Sequence, residues 1–252
     1  SASLNGIIKT LEKRTKQLEF ANKKLEAANE RLQILSQAKD EFVSNVSHEL
    51  RTPLTSLNLY LSLLSRRPEK QDTYLDAFKR EIQRLENMIE GLLILSRLDQ
   101  GERTLRFESV DLNSLVEEYV TDRKALAGSH GLTLELDLER SLPVVQAHRD
   151  LIGQVLSVLL TNAINYTPAG GQLVVGTKKD HQEGQDWGGL FVSDSGPGIP
   201  PEEHDQLFKR FFRGQIGRES EIPGTGLGLA IVKEIVDWHH GWVEVDSEGI
   251  PG

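Results

Sequence analysis

Three sets of residues in this sequence have the types and spacing to do chemistry. The first is His48, with Glu49 beside it and Thr52 one turn on, inside the stretch FVSNVSHELRTPLTSL at 42–57. An imidazole that is neutral near pH 7 is a usable nucleophile, so His48 needs no large pKa shift to attack an electrophile. Glu49 supplies a carboxylate that can polarise the ring. The second set is Asn162, with Asn165 and Tyr166 close by. An amide oxygen suits a magnesium ion that keeps most of its waters and is shared with phosphates; taken alone, Asn162 reads equally well as a buried hydrogen-bonding asparagine. The third set is two glycine-rich runs. In DSGPGI (194–199) a strand ends in a turn, and Asp194 can accept from the exocyclic amine of a purine, with Gly196, Gly198 and Ile199 following. As a lone motif this is a surface turn. In GTGLGL (Gly224, Thr225, Gly226, Leu227, Gly228, Leu229) the run opens a helix, whose free N–H groups and positive dipole end suit an anion. That run lacks the lysine of a Walker loop, and no strand precedes it as a dinucleotide fold requires.

The elements that must position these groups follow from apolar periodicity. Phe42, Val46, Leu50, Leu54, Leu57, Leu61 and Leu64 recur at three- and four-residue steps and form one stripe of a helix. His48 is two residues from both Val46 and Leu50, roughly 200° around the helix, and so points away from the stripe. Pro53 has no N–H to give and is expected to kink or loosen the helix. Upstream, Leu11, Leu18, Leu25 and Leu32 repeat every seven residues, with Ile7 or Ile8, Ala21, Ala28 and Leu35 near the complementary seam and Asn22 and Asn29 close to it. This pattern predicts a coiled coil over 1–35 that runs into the His48 helix without a break. RRPEKQD then makes a turn. A second helix carries Tyr74, Phe78, Ile82, Leu85, Ile89, Leu92 and Leu95, ending near Gly101. Two such helices make an antiparallel hairpin over 36–103, and pairing two hairpins into a four-helix bundle buries the remaining faces.

From about Thr104 to the end, at 252, the pattern becomes α+β. TLRFESVDL, LTLELDL, GQLVVGTKK, GLFVSDS and GWVEVDS read as strands, Asp111 as an N-cap, and residues 150–165 and 229–238 as helices stacked on one face of a mixed sheet. The net charge of −9 argues against a broad nucleic-acid footprint. The absence of cysteine excludes disulfides, thiol nucleophiles and cysteine zinc sites and fits a reducing compartment. Apolar runs fall short of the ~20 residues a bilayer span requires, and no signal peptide opens the chain. Ser1 is no natural start, so the expectation is an excised cytoplasmic piece of a longer protein.

Order and spacing then carry more than any single motif. From about residue 36 onward the chain resembles the cytoplasmic core of a sensor histidine kinase of two-component signalling, of the HisKA type with a HATPase_c domain. FVSNVSHELRTPL resembles the family's H box, LLTNAINYTP its N box, DSGPGIP its first glycine box, LFKRFFRG its F box and GTGLGLAIVKEI its second glycine box. The resemblance implies a Bergerat-type α/β-sandwich that binds ATP and Mg²⁺. It implies that His48 accepts the γ-phosphoryl group, on Nε2, while Glu49 holds the other ring nitrogen, and that Thr52 helps orient water when the partner is dephosphorylated. It implies Asn162 as the magnesium ligand, Asp194 as the adenine reader over Gly196 and Gly198, Arg210 at the γ-phosphate, and 225–229 as the phosphate cradle. Residues 200–223 become a lid anchored by Phe208, Phe211 and Phe212. The implied partners are a second copy of the chain and the receiver domain of a response regulator, docking near 57–64, with any membrane tether upstream.

The departures bear on mechanism. Val158 stands where the family often has an earlier asparagine, and where related hydrolytic ATPases place a glutamate that activates water. Asn165 replaces a usual lysine, and His148 a common aspartate. SEGIPG ends the chain where a third glycine box and a last strand are expected. The stretch 98–107, with Gly101, is the candidate hinge. Besides the autophosphorylating kinase, two readings stay open here: a conformational ATPase of the gyrase or chaperone kind, and a dimeric scaffold that binds nucleotide without chemistry.

Overall fold

The computed structural model describes residues 2–66, 68–99, 106–182, 184–219, 222 and 224–247, and within the first helix the side chains of 14, 16–33, 36–37, 39–40 and 42–66. The chain divides into two compact units, Ser1–Thr55 and Ser56–Gly252, the division falling inside the first helix.

That helix, α1 (Ala2–Arg66), is a single α-helix through Pro53. The break in hydrogen bonding at the proline is therefore absorbed locally, without ending the helix. Around it Ser47, Thr52 and Thr55 each turn a hydroxyl back to the carbonyl four residues earlier, at 2.8, 3.3 and 2.9 Å. In the expected coiled-coil stretch Leu18, Leu25 and Leu32 are exposed. The side chains of Ile7, Ile8, Leu11 and Leu35 lie outside the described residues.

In the second unit, a 3-10 turn (Pro68–Lys70) leads from the end of α1 into α2 (Gln71–Asp99). Then come β1 (Glu108–Val110), α3 (Leu112–Ser129), β2 (Thr133–Asp137), β3 (Val145–Ala147), α4 (Arg149–Tyr166), β4 (Gln172–Gln182) and β5 (Gln185–Asp194). A 3-10 segment (Pro201–Gln206), α5 (Gln215–Glu219) and α6 (Gly228–Trp238) follow. β2 pairs parallel to β4, and β4 pairs antiparallel to β5, while β1 and β3 form a separate antiparallel pair. The sheet is mixed, as expected.

Local chemistry explains several of these boundaries. Asp111 caps α3: its carboxylate accepts from the Asn113 N–H at 3.0 Å and the Ser114 hydroxyl at 2.8 Å. Those bonds hold its pKa below the ordinary aspartate value, the Ser114 hydroxyl being the largest cause. The register Leu134↔Leu173 and Leu136↔Val175 sets Leu173, Val175 and Thr177 on the buried face of β4. Against them pack Leu115, Val116 and Val120 of α3 and Leu156, Leu160 and Ile164 of α4. Each such side chain contributes about 1.5–3 kcal/mol on burial.

Four sequence expectations need correction or completion. GWVEVDS carries no strand: 241–247 has the alternation but no ladder partner among the described residues. Side chains hold it instead, with Trp242 edge-on to Trp187 of β5 at 5.1 Å and the Ser247 hydroxyl accepting from the Ile199 N–H at 2.9 Å. Of the strand expected from TLRFESVDL, 104–105 lie outside the described residues; among the rest it covers Glu108–Val110, and Phe107 stacks on Trp238 at 4.8 Å. β3 was not legible at all. On α2 the buried line runs through Met88, Gly91, Leu95 and Leu98, whereas Ile82 and Ile89 of the expected stripe are exposed. Gly91 lies where a Cβ would come 3.0 Å from Cδ1 of Ile231, so the missing side chain lets α6 approach α2. The candidate hinge falls largely on 100–105, outside the described residues, as do 248–252.

Candidate functional site

Each group sits where its local sequence puts it. His48 projects from α1 with 76 % of its side chain exposed, and its Nδ1 lies 4.0 Å from Oε1 of Glu49. That is an ion-pair distance, longer than a hydrogen bond. The carboxylate therefore addresses Nδ1, which leaves Nε2 directed elsewhere. Thr52 spends its hydroxyl proton on the His48 carbonyl.

The other residues gather at one end of the second unit. Asp194 closes β5, and its Oδ1 accepts from the Gly196 N–H at 2.9 Å, which locks the turn so that the carboxylate stays exposed. Gly198 follows with φ 72°. Tyr166, the last residue of α4, touches this turn with its backbone and α5 with its side chain. Its carbonyl lies 3.3 Å from where a Cβ of Gly196 would be, and its hydroxyl 2.9 Å from that of Gly217 in α5. Asn162 and Asn165 are half-buried on the same helix. Val158, one turn before Asn162 and hence on the same face, comes within 3.0 Å of a Cβ built on Gly228. The Asn162 face of α4 is thereby turned to the start of α6.

The glycine run enters α6 under tension. Gly226 has φ 69° and Phe211 has φ 66°, and the Phe211 N–H donates to the Gly226 carbonyl at 2.9 Å. A Cβ on Gly226 would stand 2.6 Å from the Phe211 carbonyl carbon. Only glycine fits where the two backbones cross. Thr225 stabilises the turn by accepting from the Leu227 N–H at 3.3 Å, and Leu227 is buried as the anchor of the loop. The first amides of α6, an 11-residue helix, are left for an anion. Arg210 forms an ion pair with Glu234 of α6 at 2.8 Å.

Two residues that tie together the stretch expected to form the lid escaped the sequence reading. Arg213 donates to the carbonyls of Gly217 and of Ile222, the latter at 2.8 Å, and so ties α5 and Ile222 to itself. Glu203 accepts from the Gln215 N–H at 2.8 Å and ties the 3-10 segment to α5. Arg213 stood within the F-box match, so its position was visible, but its partners were not. Phe208, Phe211 and Phe212, the expected lid anchors, are half-buried.

The donor set suits magnesium in one form only. Among the described residues no group of three His, Cys, Asp or Glu could hold a metal. A single amide oxygen from Asn162 fits an ion carried mainly by phosphates and water. No described helix is long and apolar enough to cross a membrane.

Comparison with known proteins places these features. Residues 38–101 match the His Kinase A (phospho-acceptor) domain, HisKA, and residues 147–251 match HATPase_c, the histidine kinase-, DNA gyrase B- and HSP90-like ATPase. The sensor histidine kinase CpxA of Escherichia coli K12 is 33 % identical over 215 residues, 85 % of this chain and 45 % of that protein. The curated relatives are longer: the chain spans between 35 and 52 % of their length. Among solved structures, histidine kinase AdeS of Acinetobacter baumannii aligns with a TM-score of 0.63 at 30 % identity, covering 80 % of this chain and 92 % of that one. Histidine kinase ThkA, solved in complex with the response regulator protein TrrA, aligns with a TM-score of 0.65 at 27 % identity over 84 % of this chain and 57 % of that one. A helical phosphoacceptor region followed by this mixed-sheet ATPase fold, in a chain so closely aligned with AdeS, belongs to the histidine kinase family.

Proposed function

We propose that this chain is the dimerisation, phosphoacceptor and catalytic part of a sensor histidine kinase. It would transfer the γ-phosphoryl group of ATP to Nε2 of His48 and pass it to an aspartate of a response-regulator receiver domain. The observation that carries the reading is His48 itself, an exposed imidazole whose Nδ1 faces Glu49, in a chain that also holds a HATPase_c fold.

With the proton on Nδ1, Nε2 keeps its in-plane lone pair. Nε2 attacks the γ-phosphorus, the bond to the bridging oxygen breaks, and ADP leaves with that electron pair. Nδ1 keeps its proton, and Glu49 offsets the cationic character of the phosphorylated ring. Phosphoryl transfer asks the protein mainly for positioning and charge neutralisation. Asp194 accepts from the adenine amine beside Gly196, Gly198 and Ile199. The amides of 225–229 and Arg210 receive the phosphates, with Tyr166 and Asn165 lining the approach. Asn162 would hold Mg²⁺, which would supply charge neutralisation for the phosphates. Val158 packs at Gly228 and has no base to offer water, which favours transfer over hydrolysis. Thr52 serves dephosphorylation of the regulator.

The division 1–35, 36–103 and 104–252 into signalling helix, phosphotransfer hairpin and ATP-binding domain completes the reading. Homodimerisation is supported by apolar side chains that a single chain leaves exposed: Leu18, Leu25, Leu32, Leu54, Leu61, Ile82 and Ile89. The chain would work on the cytoplasmic side of a sensor whose stimulus-binding and membrane segments lie elsewhere. Incubation with γ-labelled ATP and Mg²⁺ should give acid-labile, base-stable phosphoprotein that His48→Gln abolishes while nucleotide binding persists. Label retained on His48→Gln refutes the assignment.

A further inference from the structure

We propose that His204 is a positioning residue for adenine recognition: together with Ser247 it holds the backbone of Ile199 still, so that the Ile199 side chain meets the base at a fixed height. The proposal rests on the reading of 194–199 as the turn that receives adenine. Three observations lead to it. The Ile199 carbonyl accepts from Nε2 of His204 at 3.1 Å, and since a carbonyl only accepts, that ring nitrogen carries the proton. The Ile199 N–H donates to the Ser247 hydroxyl at 2.9 Å, so that both backbone groups of one residue are taken by side chains from separate segments, the 3-10 segment and 241–247. His204 also works from a fixed base. The N–H of Glu203 beside it donates to the Pro200 carbonyl at 2.9 Å, and the Glu203 carboxylate accepts from the Gln215 N–H at 2.8 Å.

Ile199 is where such a clamp matters. Gly198 before it has φ 72°, and a glycine leaves the next peptide many orientations. Pro200 after it bars Ile199 from the helical region and leaves it the extended one. The two side-chain bonds select one orientation from that range. Ile199 is the first apolar side chain after the glycines of the turn, and it is half-buried. A flat base gains most from apolar surface that is already in place, because a contact ordered beforehand loses no freedom on binding. Releasing the carbonyl end removes one hydrogen bond's worth of ordering, which corresponds to about fivefold in affinity. That factor belongs to the base, which ADP and ATP share, and so is the same for both.

The test measures calorimetric affinities of the full chain for ADP and for a non-hydrolysable ATP analogue, with thermal melts in the absence of nucleotide. His204→Leu keeps the bulk and loses the donor. It should bind both nucleotides about fivefold more weakly and raise the KM for ATP in phosphoryl labelling by the same factor, with the rate at saturating ATP unchanged. His204→Gln returns an N–H donor near the Nε2 position and should recover most of the loss. Equal losses in His204→Leu and His204→Gln overturn the proposal in favour of packing, and a loss confined to the triphosphate overturns it in favour of a phosphate effect. Wild-type affinity in His204→Leu, with Asp194→Asn still costing ADP affinity, overturns the role of His204 alone. Unchanged ADP affinity in Asp194→Asn instead removes the parent reading, and the proposal with it. Should His204→Leu melt early, Ser247→Ala releases the other end of Ile199 and should weaken both nucleotides alike, by about threefold; wild-type affinity there overturns the clamp.

Discussion

His48 on α1 and His239 at the end of α6 are two imidazoles in opposite circumstances. His48 is largely exposed and has one carboxylate at 4.0 Å from Nδ1. His239 is half-buried and has both ring nitrogens committed. Its Nε2 accepts from the His148 backbone N–H at 3.0 Å, and its Nδ1 donates to the Ile235 carbonyl at 2.7 Å. Those partners permit one tautomer, neutral, with the proton on Nδ1. Phe107 and Trp238 pack edge-on to the ring, each with centroids at 5.2 Å. A nucleophile requires an unshared lone pair that a substrate can reach. His48 has one, and His239 has given its own to the fold.

The contrast can be broken most directly by exchanging the roles under labelling. His48→Gln should lose all phosphoryl label, and His239→Phe should keep it on a folded chain. Label that follows His239 would invert the comparison. The next effect is smaller. Glu49→Gln should slow labelling by about 10²-fold without raising the KM for ATP, because the carboxylate serves the ring and not the nucleotide; a KM effect with an intact rate would show that Glu49 binds substrate instead.

Stability separates the two residues in the other direction. His239→Phe should keep the aromatic packing but strand the His148 N–H, at a cost of about 1–2 kcal/mol. Chemical denaturation followed by tryptophan fluorescence measures it. His48→Gln, on an exposed helix face, should change stability by no more than about 0.5 kcal/mol. The smallest effect is on pH. Burial lowers the pKa of His239, and the nearby His148 and His240 lower it further. The unfolded chain therefore takes up a proton before the folded one does. The His239 contribution is fully present above the ordinary imidazole value of about 6.5 and is lost as pH falls below it. Melting temperature should decline from neutral pH toward acid more steeply in the wild type than in His239→Phe; parallel curves would mean that the latch does not titrate.

Legibility followed the range of the interaction. The Asp111 cap, the α4 apolar face and the alternation of LTLELDL rest on neighbours a few residues apart, and each was readable. His48 could be placed off the apolar stripe from spacing alone. The strand reading of GWVEVDS failed because alternation reports which side chains face a core, whereas a strand also needs a ladder partner. The α2 stripe was shifted for a related reason. That helix has two apolar faces, one closed by α6 at Gly91 and one left open, and periodicity does not say which neighbour covers which.

Residue types and local spacing were enough to specify the histidine, the glycine runs and the helices and strands that carry them, since propensity, capping and amphipathicity act within a turn or two of chain. The pairings that join Arg210 to Glu234, Phe211 to Gly226 and His148 to His239 span 24, 15 and 91 residues. Nothing in the intervening sequence encodes such distances. They exist because burying the apolar faces of α3, α4 and the sheet brings these backbones together, and polar groups so buried must find partners there.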